Sequence, residues 1–179
     1  MHYGRIFYCD IANGVGCRTA LFVSGCTHHC KECFNPETWD FQYGEPFTEH
    51  EVLEILDSLA PVYVDGLSLL GGEPMEKENQ PVIYDLLVRM KERYPKKSVW
   101  IYSGYTFEEL TDSENARCHT EYTKSILEMT DILVDGEVHI EEKNISLRFR
   151  GSENQRIIDV PKTLETGSIV LSEYMKRVR

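Results

Sequence analysis

The chain has 179 residues, 41% of them hydrophobic and 11% aromatic, which is enough apolar material for one packed domain and excludes a disordered chain. Asp and Glu number 30 against 19 Lys and Arg, a formal net charge of −11. So acidic a surface repels phosphate backbones and anionic lipid, and no nucleic acid or membrane partner is expected.

The first residues, Met1 to Asp10, lack the apolar core of a secretory signal. The longest purely apolar runs, such as Ala20 to Val23, fall far short of the roughly 20 residues that span a bilayer. A cytosolic protein with reduced thiols is expected. Thr19 to Ser24 is a short β-favouring run ending at Gly25. Thr48 and Glu51 form a capping box, and Val52, Ile55, Leu56 and Leu59 behind it follow helical spacing until Pro61. Leu67 to Leu70 is the next strand, entering Gly71-Gly72-Glu73-Pro74. A helix is predicted from near Asn79, with Pro81 in its first turn, a stripe of Val82, Ile83, Leu86, Leu87 and Met90, and a stop at Pro95. Ser98 to Tyr102 is strand-like and ends at Ser103-Gly104. Thr106 and Glu109 form a second capping box over a short helix, and Tyr122, Ile126 and Met129 suggest another. Ile132 to Val134 is a strand ending at Asp135-Gly136, and Ile157 to Val160 is the final strand candidate. The tail carries Lys176, Arg177 and Arg179, read as solvated.

Strand and helix alternate, which predicts α/β architecture with parallel strands and helical crossovers. A complete eight-unit barrel takes about 250 residues, so a single domain over residues 1–179 has room only for a partial barrel or an open sheet. Gly25, Gly71-Gly72, Ser103-Gly104 and Asp135-Gly136 all fall where a strand exits. Ligands bind at that end of parallel sheets, and glycine lets the backbone approach them.

The six cysteines are Cys9, Cys17, Cys26, Cys30, Cys33 and Cys118. Cys26, Cys30 and Cys33 have C-x3-C-x2-C spacing on one short loop, a metal-binding pattern in a reducing compartment. A structural zinc site needs four ligands, for which His28, His29, Cys17 or Cys118 are candidates. A ferredoxin-type run has different gaps and a fourth Cys before proline, whereas Phe34-Asn35-Pro36 follows Cys33 here. The remaining reading is a 4Fe-4S cluster with three protein ligands and one iron open to substrate or cofactor. Cys9, Cys17 and Cys118 are read as bystanders.

With Gly71-Gly72-Glu73-Pro74 in the "GGEP" position, the cysteine loop resembles the radical S-adenosylmethionine enzymes. The finer context resembles one family among them, the activating proteins of anaerobic (class III) ribonucleoside-triphosphate reductase. The matching stretches are Cys26 to Cys30, Cys33 to Trp39, Tyr102-Ser103-Gly104-Tyr105, Leu133 to Gly136 and Arg150 to Ile157. The resemblance spans most of residues 1–160; the residues after 160 match nothing. The activase of pyruvate formate-lyase is a relative with the same chemistry on a longer chain.

The resemblance implies a compact partial (βα) barrel of mostly parallel strands. It implies that Cys26, Cys30 and Cys33 hold a 4Fe-4S cluster, and that S-adenosylmethionine binds the open iron. Its reductive cleavage would yield a 5′-deoxyadenosyl radical that takes a hydrogen atom from a glycine of the large reductase subunit, with an electron donor such as flavodoxin. No side chain of this chain then acts as nucleophile or base. Gly71, Gly72, Glu73 and Pro74 would receive the ligand's ammonium group, with the Glu73 carboxylate accepting from it. Many superfamily members carry an aromatic residue just before the third Cys; here that position is Glu32 and the aromatic is Phe34. Adenine contacts are therefore assigned to Glu32, Cys33 and Phe34, largely to their backbone. Asp135 and Ser103 are candidates for ribose or carboxylate contacts, or for helix capping and turn formation. Arg150 and Arg156 are candidates for the ligand carboxylate or the reductase. His28 and His29 are candidates for hydrogen bonding around the cluster, with at least one exposed. The competing readings are a pyruvate formate-lyase-type activase, a zinc-stabilised α/β binding module and an electron-transfer iron–sulfur protein.

Overall fold

The computed structural model describes residues 1–175; the basic tail residues Lys176, Arg177 and Arg179 lie outside them. The strands are β1 His2–Asp10, β2 Cys17–Val23, β3 Glu45–Pro46, β4 Val64–Gly71, β5 Ser98–Ser103, β6 Ile132–Asp135 and β7 Arg156–Asp159. The helices are α1 Glu49–Ser58, α2 Gln80–Arg93, α3 Phe107–Thr111, α4 Thr123–Glu128 and α5 Val160–Thr166. All seven strands join one sheet in the order β3-β1-β2-β4-β5-β6-β7.

The α/β class and every predicted element between β2 and β7 are present. The expectation of mostly parallel strands is corrected. Only the middle ladder β2-β4-β5-β6 is parallel; β1 runs antiparallel to β2 and β3, and β7 antiparallel to β6. The sheet is open, with β3 and β7 as its edges. A second correction concerns Val160, which opens α5 instead of ending a strand. Asp159 accepts from the Lys162 N–H at 3.2 Å, Pro161 sits in the first turn, and Gly167 at φ +67° closes the helix.

Local chemistry explains the helices. In α1 the Glu51 carboxylate accepts from the Thr48 N–H at 2.6 Å, and in α3 Glu109 accepts from Thr106 at 2.8 Å. Pro81 lies in the first turn of α2, where no N–H is needed. The stripes behind these caps, Ile55, Leu59, Ile83, Leu86, Leu87 and Met90, are fully buried. Each contributes about 1.5 to 3 kcal/mol by leaving water.

Strand alternation sorts the sheet's two faces. Leu21, Val23, Leu67, Leu69, Val99, Ile101 and Leu133 pack against the helices. Trp100, Ile132, Val134 and Ile157 form a smaller cluster on the opposite face, covered by Val15, Phe149 and Tyr174 instead of α-helices. Arg18 lies buried on that face. Its guanidinium donates to the Ser68 hydroxyl at 2.8 Å and to the Leu67 and Ser98 carbonyls at 2.8 and 2.9 Å.

Cys9 and Cys17 are joined in a disulfide with Cα atoms 4.7 Å apart, tying the end of β1 to the start of β2. The expectation that they are reduced bystanders is therefore corrected. The loop they close carries Ala12 and Asn13 to the helix-free face.

Candidate functional site

Residues from the exits of β2, β4, β5 and β6 line one cleft of about 400 Å³ on the helix-free side of the sheet. Cys26, Cys30 and Cys33 all border it, and all three are free thiols. Their loop turns sharply enough to do so because Gly25, His29 and Glu32 have φ of +95°, +49° and +57°. The Cys33 N–H donates to the Cys30 carbonyl at 3.1 Å. Gly25 and Cys26 donate to the carbonyls of Thr38 and Trp39 at 2.8 and 3.3 Å, which anchors the start of the loop to the turn after it.

The Gly71–Pro74 turn forms the adjoining wall. Gly72 and Glu73 donate to the Val23 and Gly25 carbonyls at 2.8 and 2.9 Å. The Glu73 carboxylate is buried and already committed inside the protein. Oε1 accepts from the Met75 N–H at 2.8 Å and the Ser103 hydroxyl at 2.9 Å; Oε2 accepts from the Gly104 N–H at 2.7 Å. Asn79 donates to the Ser24 and Glu73 carbonyls, both at 3.0 Å. The turn is thereby bonded to the exits of β2 and β5.

Glu32, Cys33, Phe34, Gly71, Gly72 and Glu73 all line the cleft. Pro74 is buried and is not among the lining residues. Phe34 is 72% exposed, with the Lys143 ammonium 4.8 Å above its ring. Asp135 is also drawn away from the cleft. It accepts from the Phe107 N–H at 2.8 Å, capping α3, and pairs with Arg156, which reaches on to Glu108. Ser103 is spent on Glu73. Arg150 borders the cleft, but its guanidinium holds the Glu153 and Gln155 carbonyls at 2.8 and 2.9 Å. Cys118 is buried apart from the cleft, and burial pushes its thiol up to about 11.

His29 is exposed and stacks on Trp39, centroids 4.7 Å apart. His28 is sequestered, with Nδ1 2.5 Å from Glu137 Oε1 and Nε2 3.3 Å from Glu73 Oε2; the second contact is within ion-pair range but not aligned as a hydrogen bond. Burial depresses the imidazolium, yet Glu73 and Glu137 outweigh it, and its pKa lies above the ordinary histidine value.

Several cleft residues have no site role in the sequence reading: Ala12, Asn13, Trp39, Tyr102, Glu137 and Phe149. Two carried a signal. Glu137 directly follows the Asp135-Gly136 exit, and Tyr102 is the last position of β5 facing the helix-free side.

The site suits a thiolate-bound group and a polar ligand. Burial pushes the Cys26 thiol up to about 12, opposed by the backbone N–H groups of His28 and His29; burial also raises Cys30, opposed by Val138. Such N–H groups aimed at sulfur are the donors that iron–sulfur thiolates use. Among the described residues, the buried side-chain polar atoms with no hydrogen-bond partner are His28 Nε2, Trp39 Nε1 and the Tyr102 hydroxyl. All three residues border this cleft, where a bound molecule can supply partners. No three His, Cys, Asp or Glu side chains among the described residues gather tightly enough for a single metal ion.

A cysteine-lined cleft at the exits of a parallel ladder defines an iron–sulfur class of protein. The family described as a 4Fe-4S single cluster domain matches residues 12–158. The chain is 38% identical over 159 residues to the anaerobic ribonucleoside-triphosphate reductase-activating proteins of Enterobacteria phage T4 and Vibrio cholerae, covering 88% of this chain and 93% and 97% of theirs. It is 36% identical over 157 residues to that of Escherichia coli, covering 87% of this chain and 96% of the relative. The chain belongs to the family of anaerobic ribonucleoside-triphosphate reductase-activating proteins.

Proposed function

We propose that this chain is an activating enzyme that installs a glycyl radical on a separate anaerobic ribonucleoside-triphosphate reductase. The observation that carries the reading is the meeting of three free cysteines and the Gly71–Gly72 turn on one cleft. Cys26, Cys30 and Cys33 would hold a 4Fe-4S cluster. When bound, the cluster and S-adenosylmethionine supply reductive cleavage to a 5′-deoxyadenosyl radical, which removes a hydrogen atom from a glycine of the partner.

The protein's own part is binding, orientation and exclusion of water. Gly71 and Gly72 bring bare backbone to the cleft wall, where carbonyls accept from an ammonium group. With the Glu73 carboxylate committed to Met75, Ser103 and Gly104, its role becomes fixing that backbone and lending negative charge. Glu32, Cys33 and Phe34 also line the cleft and would contact the adenine, with the Phe34 ring exposed. The names of the relatives favour the reductase as partner over pyruvate formate-lyase. The reading keeps a cytosolic location and a flavodoxin-type electron donor.

Anaerobic reconstitution should give brown protein with about four irons per chain. Added S-adenosylmethionine and a strong reductant should release methionine and 5′-deoxyadenosine. With the large reductase subunit present, a glycine-centred radical should appear there by electron paramagnetic resonance (EPR). A loaded cluster that leaves S-adenosylmethionine intact defeats the proposal, and a colourless protein holding one zinc supports the binding-module alternative.

A further inference from the structure

The loop between Cys26 and Cys30 is held by three carboxylates from two segments, the turn after β4 and the exit of β6. Thr27 donates to Glu76 Oε1 from its backbone N–H at 2.6 Å and from its hydroxyl at 2.7 Å. His28, with a side chain only 3% exposed, fills a slot between Glu137 and Glu73. Its ring packs on Tyr105, centroids 4.3 Å apart. Gly104 forms the back of the slot, since a Cβ there would stand 2.7 Å from Nε2. The Gly104 N–H donates to the same Glu73 oxygen that His28 faces. One imidazole of the cysteine loop therefore touches the Gly71–Pro74 turn and the exits of β5 and β6.

We infer that His28 is a positioning residue, acting through Glu73 and Glu137 to hold the Cys26–Cys30 loop against the ligand-facing turn, and is not itself a ligand of the metal group. The inference rests on the cluster and S-adenosylmethionine reading above. Protein groups occupy both edges of the ring: Nδ1 lies 2.5 Å from Glu137 Oε1 and 3.4 Å from Arg117 Nη2, and Nε2 lies 3.3 Å from Glu73 Oε2. The same contacts fix where Glu73 sits, and Glu73 in turn orders the N–H groups of Met75 and Gly104. A loop held in place beforehand need not be ordered when the ligand binds.

The test uses the full chain after anaerobic iron–sulfur reconstitution, with His28→Ala, His28→Gln, Glu137→Ala and the His28→Ala/Glu137→Ala pair. Iron content should stay at the wild-type level in all four, because the three cysteines remain. In His28→Ala, amide exchange across residues 27–33 should quicken, and S-adenosylmethionine affinity, read from the EPR of the reduced cluster, should fall about tenfold. His28→Gln should recover most of both, since its amide still donates to one carboxylate. Glu137→Ala should move both readouts the same way, and the pair should be no worse than His28→Ala alone.

Unchanged exchange and affinity in His28→Ala overturn the inference. So does loss of iron in that variant together with hyperfine coupling from ring-labelled histidine in the wild type, which would make His28 a ligand. A wild-type cluster whose EPR ignores S-adenosylmethionine defeats the proposed function, while the exchange measurement still decides the role of His28. Should His28→Ala fail to fold, His28→Gln and the partly exposed Glu137→Ala carry the same comparison.

Discussion

Asp135 and Arg156 face each other across the β6–β7 ladder, paired in register, with Nε 3.0 Å from Oδ1. Asp135 is 1% exposed, and its other oxygen also caps α3 through the Phe107 N–H. One carboxylate thus ties β6, β7 and α3 together behind the cleft. Arg156→Met leaves that carboxylate buried with a single N–H donor. We expect a loss of about 2 to 4 kcal/mol in urea unfolding. Arg156→Lys should recover only part of it, because an ammonium cannot span both Asp135 and Glu108 as the guanidinium does.

The Glu108 end of this network gives a pH prediction. Its hydrogen bonds from Arg156 hold the Glu108 carboxyl below the ordinary value of 4.5. A carboxyl depressed on folding contributes stability that is complete above its unfolded pKa and is lost as pH falls through the folded one. Glu108→Gln should therefore lower stability slightly at neutrality and flatten the acid limb, the two proteins converging as pH falls below about 4.5. The effect is small, since the Glu108 side chain is 58% exposed. Unfolding free energies measured between neutral and acid pH check it; parallel acid limbs for the two proteins would contradict it.

Gly72 has no room for a side chain. A Cβ there would stand 2.7 Å from the Gly25 carbonyl oxygen and 3.0 Å from that of Thr38, backbone atoms that cannot rotate aside. Gly72→Ala must separate the turn from the cysteine loop. We expect a stability loss of about 1 to 3 kcal/mol and weaker S-adenosylmethionine binding, read by thermal melting and ligand titration. Melting and binding both unchanged would show that the two segments are not held at this spacing.

Cys118 tests the number of metal ligands. It is buried away from the cleft, with its Sγ 3.4 Å from the Glu109 carbonyl. Cys118→Ser should keep about four irons per chain, whereas Cys26→Ser, Cys30→Ser and Cys33→Ser should each lose the cluster. Loss of iron in the Cys118 variant would point to a fully capped electron carrier.

What was legible in the sequence is what local chemistry fixes. The helix starts followed from Thr48 with Glu51, Thr106 with Glu109, and Pro81. The cysteine spacing and the glycines at four exits marked the cleft because each lies within a few residues of its strand. β1 was missed because its register with β2 is broken around Gly4 and most of its side chains are partly or fully exposed, so no clean alternation appears. The direction of β7 depends on Arg156 meeting Asp135, a contact no local pattern shows. Glu73 was read as an acid near a ligand, but what occupies its oxygens depends on Ser103 and Gly104, thirty positions away in the chain and one strand away in the sheet. Pro74 looked like part of the motif's contact surface, although only the residues before it reach the cleft. Cys9 and Cys17 were separated by a loop whose closure only the β1–β2 ladder reveals.

Tyr102 offers a test in which stability and binding move in opposite directions. Its hydroxyl is buried with no hydrogen-bond partner among the described residues, and burial raises its pKa far above the ordinary phenol value. A buried, unpaired hydroxyl costs free energy that its removal returns. Tyr102→Phe should therefore leave the ligand-free protein as stable as wild type or up to about 1 kcal/mol more stable, where a bonded tyrosine would lose about that much. The residue lines the cleft beside Ser103 and Gly104. If a bound molecule supplies the missing acceptor, the same variant binds S-adenosylmethionine more weakly, so its ligand-induced rise in melting temperature is smaller than that of the wild type. A Tyr102→Phe protein that loses stability without ligand would show that the hydroxyl is already paired, and the cleft would then hold one fewer group waiting for a partner.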